Sequence, residues 1–136
     1  MSANPLTPTL CVDHVMLPVS NLDRAVAFYT GVLSMKVVEA RSDQKRKIAH
    51  VGYTPRGGQA TIELIETLPP LQTNGFAVGS GHVCLRLNGL GNLCQRIQVE
   101  GGAFDRPLDR SGETVSRAWV RDPDGHLLEL VESGAS

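Results

Sequence analysis

Two histidines and two glutamates carry the chemistry that can be read from this chain. His14 sits in Val12-Asp13-His14-Val15-Met16 and His82 in Gly81-His82-Val83-Cys84, while Glu63 sits in Thr61-Ile62-Glu63-Leu64-Ile65 and Glu129 in Leu127-Leu128-Glu129-Leu130-Val131. Two imidazoles and two carboxylates form a borderline-hard donor set, suited to divalent Zn, Ni, Co or Mn. Four such ligands fit either a closed tetrahedral site or an octahedral site with two open positions, and only the open form serves catalysis. A lone His or Glu in a strand is usually a surface residue or a satisfied core group. The pattern occurs twice, however, with His-to-Glu spacings of 49 and 47 residues.

The elements that would position these residues repeat as well. Asp13–Val19 matches Gly81–Leu87 at an offset of 68, and Thr61–Glu66 matches Leu127–Glu132 at an offset of 66. Internal repeats of this kind point to one supersecondary plan used twice. In the first half, a strand is expected over Cys11–Val19, then a helix capped by Ser20 or Asn21. Leu22, Ala25, Val26, Tyr29, Val32 and Leu33 recur along it at helical spacing. Strands are expected over Met35–Ala40, Lys47–Tyr53 and Ala60–Glu66. The second half predicts a strand over His82–Leu87, a helix marked by Leu90, Leu93, Cys94 and Ile97 that stops at Gly101-Gly102, and a short strand over Ala103–Arg106. Strands over Val115–Arg121 and His126–Glu132 then flank an Asp122-Pro123-Asp124-Gly125 turn. Each half reads βαβββ, which makes the chain an α+β protein. It forms one domain over 1–136: module one 11–66, linker 67–80 and module two 81–132, with a frayed tail from Ser133.

Alternation along a strand puts Glu63 on one face with Thr61 and Ile65, and Glu129 with Leu127 and Val131. His14 shares a face with Val12 and Met16, and His82 with Cys84 and Arg86. An ionised carboxylate on such apolar faces needs a partner or a metal, because burying it unpaired costs several kcal/mol. Glu66 and Glu132 read as solvated strand ends, and His126, just after a turn, as a surface residue. His50 has no partner in the repeat and stays ambiguous, with a structural reading favoured. The Asp122–Gly125 turn fits no calcium loop, and neither Gly57-Gly58 nor Gly101-Gly102 is a phosphate-binding glycine motif.

Composition excludes several function classes. Lys+Arg 13 against Asp+Glu 14, a formal net charge of -1, argues against a nucleic-acid binder. No apolar run reaches the roughly 18 residues of a membrane span. Met1–Pro5 shows no secretory pattern, and Cys11, Cys84 and Cys94 read as buried thiols, so a cytoplasmic location is expected.

Residues 11–132 resemble the vicinal oxygen chelate superfamily, and within it the glyoxalase I (lactoylglutathione lyase) family. The similarity lies in Asp13–Leu17, Ala27-Phe28-Tyr29-Thr30-Gly31-Val32-Leu33, Val51-Gly52-Tyr53, Thr61–Leu64, Gly81–Val83 and Asp122–Gly125 through Leu130. The resemblance implies paired βαβββ modules forming a curved mixed sheet, with His14, Glu63, His82 and Glu129 as metal ligands. It implies a small-molecule substrate and isomerisation through a metal-bound enediolate, converting the methylglyoxal–glutathione hemithioacetal to S-lactoylglutathione. Glu63 or Glu129 would move the proton, Glu129 being favoured by similarity to the family. Ni or Co is favoured for so compact a chain, with Zn or Mn as alternatives. The resemblance further implies a homodimer whose sites are shared between chains, pairing of a chain's own halves being the alternative.

Two departures bear on the substrate. Pro18 stands where bacterial glyoxalase I has an Arg that helps bind the glutathione carboxylate, and Thr67 stands where the family has Asn. Arg110, Arg86 and Arg117 are the candidate replacements. A vicinal-oxygen-chelate isomerase or epimerase on a non-glutathione substrate, or a binding protein without catalysis, are the alternative functions.

Overall fold

Two copies of one βαβββ unit build the molecule. The computed structural model describes residues 10–69 and 81–135. The expected readings of Met1–Pro5, of the linker from 70 to 80 and of Ser136 lie outside these. Module one runs β1 (His14–Pro18), α1 (Leu22–Ala27), a π-helical turn (Phe28–Val32), β2 (Lys36–Ser42), β3 (Arg46–Gly52) and β4 (Thr61–Thr67). Module two runs β5 (Val83–Leu87), α2 (Leu90–Val99), β6 (Asp109–Ser111), β7 (Thr114–Arg121) and β8 (Leu127–Glu132). The sheets have the orders β1-β4-β3-β2 and β5-β8-β7-β6. In each, the first and last strands pair in parallel across the helical crossover, and the other pairs are antiparallel.

One expected element falls elsewhere. Ala103–Arg106 forms only a single bridge, Phe104 to Val120, and the sixth strand is Asp109–Ser111. A three-residue strand of Asp, Arg and Ser has no β preference of its own. Its pairing with β7 creates it.

The strand ends cap the helices. Asn21 accepts a hydrogen bond from the Arg24 amide at 2.9 Å, while the Leu22 amide donates to Glu66 Oε1 at 2.7 Å. Gly89 precedes α2 in the left-handed region, φ +85°, and offers no capping side chain. Glu132 takes its place, accepting from the Gly89 and Leu90 amides at 3.2 and 2.8 Å. Glu66 and Glu132 are therefore helix caps in trans rather than solvated strand ends. Each satisfies amides that the helix cannot, and its charge suits the positive end of the helix dipole.

A single apolar cluster runs through both modules, with Leu17, Val19, Tyr29, Ile62 and Leu64 joined by Leu90, Ile97, Leu128 and Leu130. Each such Leu or Ile contributes about 1.5–3 kcal/mol on full burial. A polar lock adds to it. Tyr29 donates to Asp122 Oδ2 at 2.7 Å, the Ser20 amide donates to Asp124 Oδ1 at 2.9 Å, and His126 Nε2 donates to the Pro18 carbonyl at 2.6 Å. Burial, and then the charge of Asp122, raise the Tyr29 hydroxyl well above the ordinary tyrosine pKa. His126 is thus buried, not a surface residue, because the Asp122–Gly125 turn folds onto module one. Of the thiols, Cys94 is buried as expected, whereas Cys11 and Cys84 are exposed.

Candidate metal centre

Register sets the site before any side chain is considered. His14 lies opposite Thr61 on the parallel β1–β4 pair, and Glu63 is two residues further along β4. The same geometry recurs across β5 and β8, where Cys84 lies opposite Glu129 as Met16 lies opposite Glu63. Ile62, Leu64, Leu128 and Leu130 turn into the core, so both glutamates are directed to the other face.

In module one, His14 Nε2 is 3.8 Å from Glu63 Oε2. The other ring nitrogen, Nδ1, lies 2.6 Å from Asp13 Oδ2. A carboxylate accepts only, so Nδ1 donates to it, and Nε2 is the ring atom directed toward a second carboxylate and available to a metal. Two electron-rich atoms facing each other call for a cation, and a carboxylate behind the imidazole is the usual support of a metal-binding histidine. The donor set therefore fits a divalent metal. The hydrogen bonds from His14 and then from Arg56 hold the Asp13 carboxyl below the ordinary carboxylate range. Arg56 bonds Asp13 and, at 2.9 Å, Glu39.

Sequence reasoning set His50 aside, yet it belongs to this cluster. It lies directly opposite Glu63 on the β3–β4 pair, is 1% exposed, and brings Nε2 to 3.0 Å from Glu63 Oε2. Its Nδ1 is 2.9 Å from Thr61 Oγ1. Among the described residues, His14, His50 and Glu63 form a group whose donor atoms all lie within 4.8 Å of one another.

Module two brings its predicted pair together as well, with His82 Nε2 at 3.0 Å from Glu129 Oε1. Its surroundings differ. Arg117 Nε lies 2.6 Å from Glu129 Oε2, and Trp119 meets the His82 ring edge-on, centroids 4.8 Å apart, with Arg106 over its other side at 4.5 Å. Burial, then Glu129, push the Cys84 thiol up. The structure thus gathers the four predicted residues as two pairs, one in each module.

Of the three candidate arginines, Arg117 alone is placed against a predicted ligand. Arg86 donates to the Ala135 carbonyl at 2.9 Å, and Arg110 lines a groove with Cys94 and Gln98 of α2. Thr67 bonds the Pro69 carbonyl at 2.7 Å. A cleft of about 730 Å³ opens between the modules, lined by Val15, Met35, Ile62, Val83 and Leu85, with Thr61 and Cys84 from the ligand-bearing faces.

Comparisons with known proteins bear on the family and the fold. Residues 12–130 match the model of the Glyoxalase/Bleomycin resistance protein/Dioxygenase superfamily. The chain is 36% identical over 124 residues to the lactoylglutathione lyase of Salmonella typhimurium, covering 88% of this chain and 90% of that one. The Shigella flexneri lactoylglutathione lyase is 35% identical over the same share of each chain. Among solved structures, the trypanothione-dependent glyoxalase I of Leishmania major superposes with a TM-score of 0.78 at 26% identity, covering 91% of this chain and 87% of that one. An antibiotic binding protein from Streptomyces shares the fold, with a TM-score of 0.69 at 22% identity over 93% of this chain and 98% of its own.

Proposed function

The chain belongs to the Glyoxalase/Bleomycin resistance protein/Dioxygenase superfamily, and from that membership we propose that it is a metal-dependent, glyoxalase I-like lyase. The observation that carries the reading is the repeated His–Glu pair, set at the same register in both modules on faces free of the core. Similarity to lactoylglutathione lyases over most of the chain supports it, and favours the methylglyoxal–glutathione hemithioacetal as substrate.

His14, Glu63, His82 and Glu129 would hold the metal. When bound, it supplies Lewis-acid polarisation of a substrate oxygen and so eases proton loss from the neighbouring carbon. Asp13 orients the His14 ring and fixes the tautomer whose Nε2 is available to a metal. Glu63 and Glu129 are the carboxylates placed to take a proton from one substrate carbon and return it to the next. Their surroundings suit different duties: His50 steadies Glu63 and Arg117 steadies Glu129. By similarity to the family, Glu129 is the base.

Two pairs on one chain become one four-ligand site when module one of one copy faces module two of another. A homodimer with shared sites is the assembly this reading requires. Nickel or cobalt is the proposed metal and the cytoplasm the proposed location. Pro18 lacks the charge expected for glutathione and the Thr67 hydroxyl is engaged with the Pro69 carbonyl; Arg117, beside Glu129, is the cation proposed to meet an anionic substrate group.

Restoring apo-protein with Ni, Co and Zn in turn, and following the hemithioacetal spectroscopically, tests the reading. Turnover with at least one metal is expected. Metal binding without turnover would move the assignment to another thiol adduct or to a binding protein, and failure to bind any of the three would overturn it.

A further inference from the structure

We propose that His50 is a further protein ligand to the metal, so that the first module supplies three ligands, His14, His50 and Glu63, from one chain. The inference rests on the metal-dependent reading above and adds to it a ligand from β3.

Distance is the first argument. Metal–donor bonds of about 2.0–2.1 Å set neighbouring donors about 2.9 Å apart in octahedral and about 3.4 Å apart in tetrahedral geometry. Glu63 Oε2 lies 3.0 Å from His50, inside that range, and 3.8 Å from His14, a few tenths of an ångström beyond it. The donor atoms of all three lie within 4.8 Å of one another, so the side chains draw together when a cation enters.

Support behind the ligands is the second. Each imidazole has an oxygen at Nδ1: Asp13 for His14 and Thr61 for His50. The Thr61 hydroxyl is both donor and acceptor. When it donates to Nδ1, His50 carries its proton on Nε2 and donates to Glu63. When it accepts instead, the proton sits on Nδ1 and the Nε2 lone pair faces Glu63, ready for a cation. One hydroxyl rotation and one change of tautomer turn a donor into a ligand.

Charge is the third. Three carboxylates, Asp13, Glu39 and Glu63, and one guanidinium, Arg56, which pairs with the first two, leave the cluster at a formal -2 with neutral imidazoles. A divalent cation balances it. Arg56 Nη1 does approach His50 Nε2, at 3.5 Å, but both its neighbouring carboxylates draw on that charge. The corresponding cross-strand position in module two is Trp119, opposite Glu129, which has no ligand atom to offer.

The test uses the full chain carrying His82→Ala and Glu129→Gln together, loaded with zinc or cobalt. One metal per chain should remain by elemental analysis, and X-ray absorption should count two imidazoles on it. Adding His50→Phe should weaken binding by more than about 100-fold, beyond the 10–100-fold typical of an outer-shell partner. His50→Gln, which keeps a donor for Glu63, should not restore it. A metal-free double variant, a single imidazole in the spectrum, or full rescue by Gln would each overturn the ligand role while leaving the four-ligand reading standing. A wild-type chain that binds no divalent metal would overturn both.

Discussion

The two modules share a backbone plan and differ in what surrounds the glutamate. Glu63 is met by two imidazoles, one backed by Asp13 and the other by Thr61. Glu129 is met by one imidazole and a guanidinium, with an aromatic ring where module one has His50. Module one is therefore anionic and suited to receiving a cation. In module two Arg117 balances Glu129, and Arg106, over Trp119, is paired with Asp105, so this His–Glu pair carries less negative charge. Duplication conserved register and core, and the cross-strand neighbours of one carboxylate were enough to separate two duties.

Several measurements would break or sharpen that contrast. The largest effect is expected from removing either carboxylate: Glu63→Gln and Glu129→Gln should each lower kcat by about 10²–10⁴-fold with the fold retained. Only Glu63→Gln should also abolish binding of metal to a single chain, and equal metal loss in both variants would erase the distinction between modules. Next comes the support behind His14. Asp13→Asn should weaken metal affinity about 10–100-fold, measured by competition with a chromophoric chelator. Module two has Gly81 at the matching place and no such support to lose.

Smaller effects concern the lock between modules. Tyr29→Phe leaves Asp122 short of one donor in a buried site and should cost about 1–3 kcal/mol by denaturant unfolding. The hydroxyl's pKa is raised on folding, so its contribution is full below the unfolded-state value of about 10 and falls as pH rises further. Tyr29→Phe should flatten that alkaline loss, and an unchanged alkaline limb would count against the Tyr29–Asp122 bond. Smallest is the pair of strand-end caps. Glu66→Gln and Glu132→Gln should each cost about 1 kcal/mol, the second more, because Asn21 also caps α1 whereas Glu132 alone takes the Gly89 and Leu90 amides. Equal losses would show that the second amide adds nothing at the start of α2.

Much of this was legible in the sequence because it depends on period and order. The offset of 68 residues between His14 and His82 locates the modules, and strand alternation correctly assigns Leu17, Ile62 and Leu128 to the core. His50 escaped because a search by symmetry discards a residue whose counterpart is Trp119. The missed signal was its place across a hairpin from Glu63, on the same face. His126 was misread because its burial comes from a contact with residue 18, and a local pattern cannot carry that. Glu66 and Glu132 illustrate the same limit: a cap supplied from over forty residues away leaves no trace beside the helix it closes.

The lock around Asp122 has a mechanical consequence. Because Tyr29, Ser20 and Pro18 grip the turn of the second module directly, the halves are held by contacts of their own and not by chain continuity alone. A chain severed between the two modules should remain one particle, its two fragments seated on each other through Tyr29–Asp122, His126–Pro18 and the common apolar cluster.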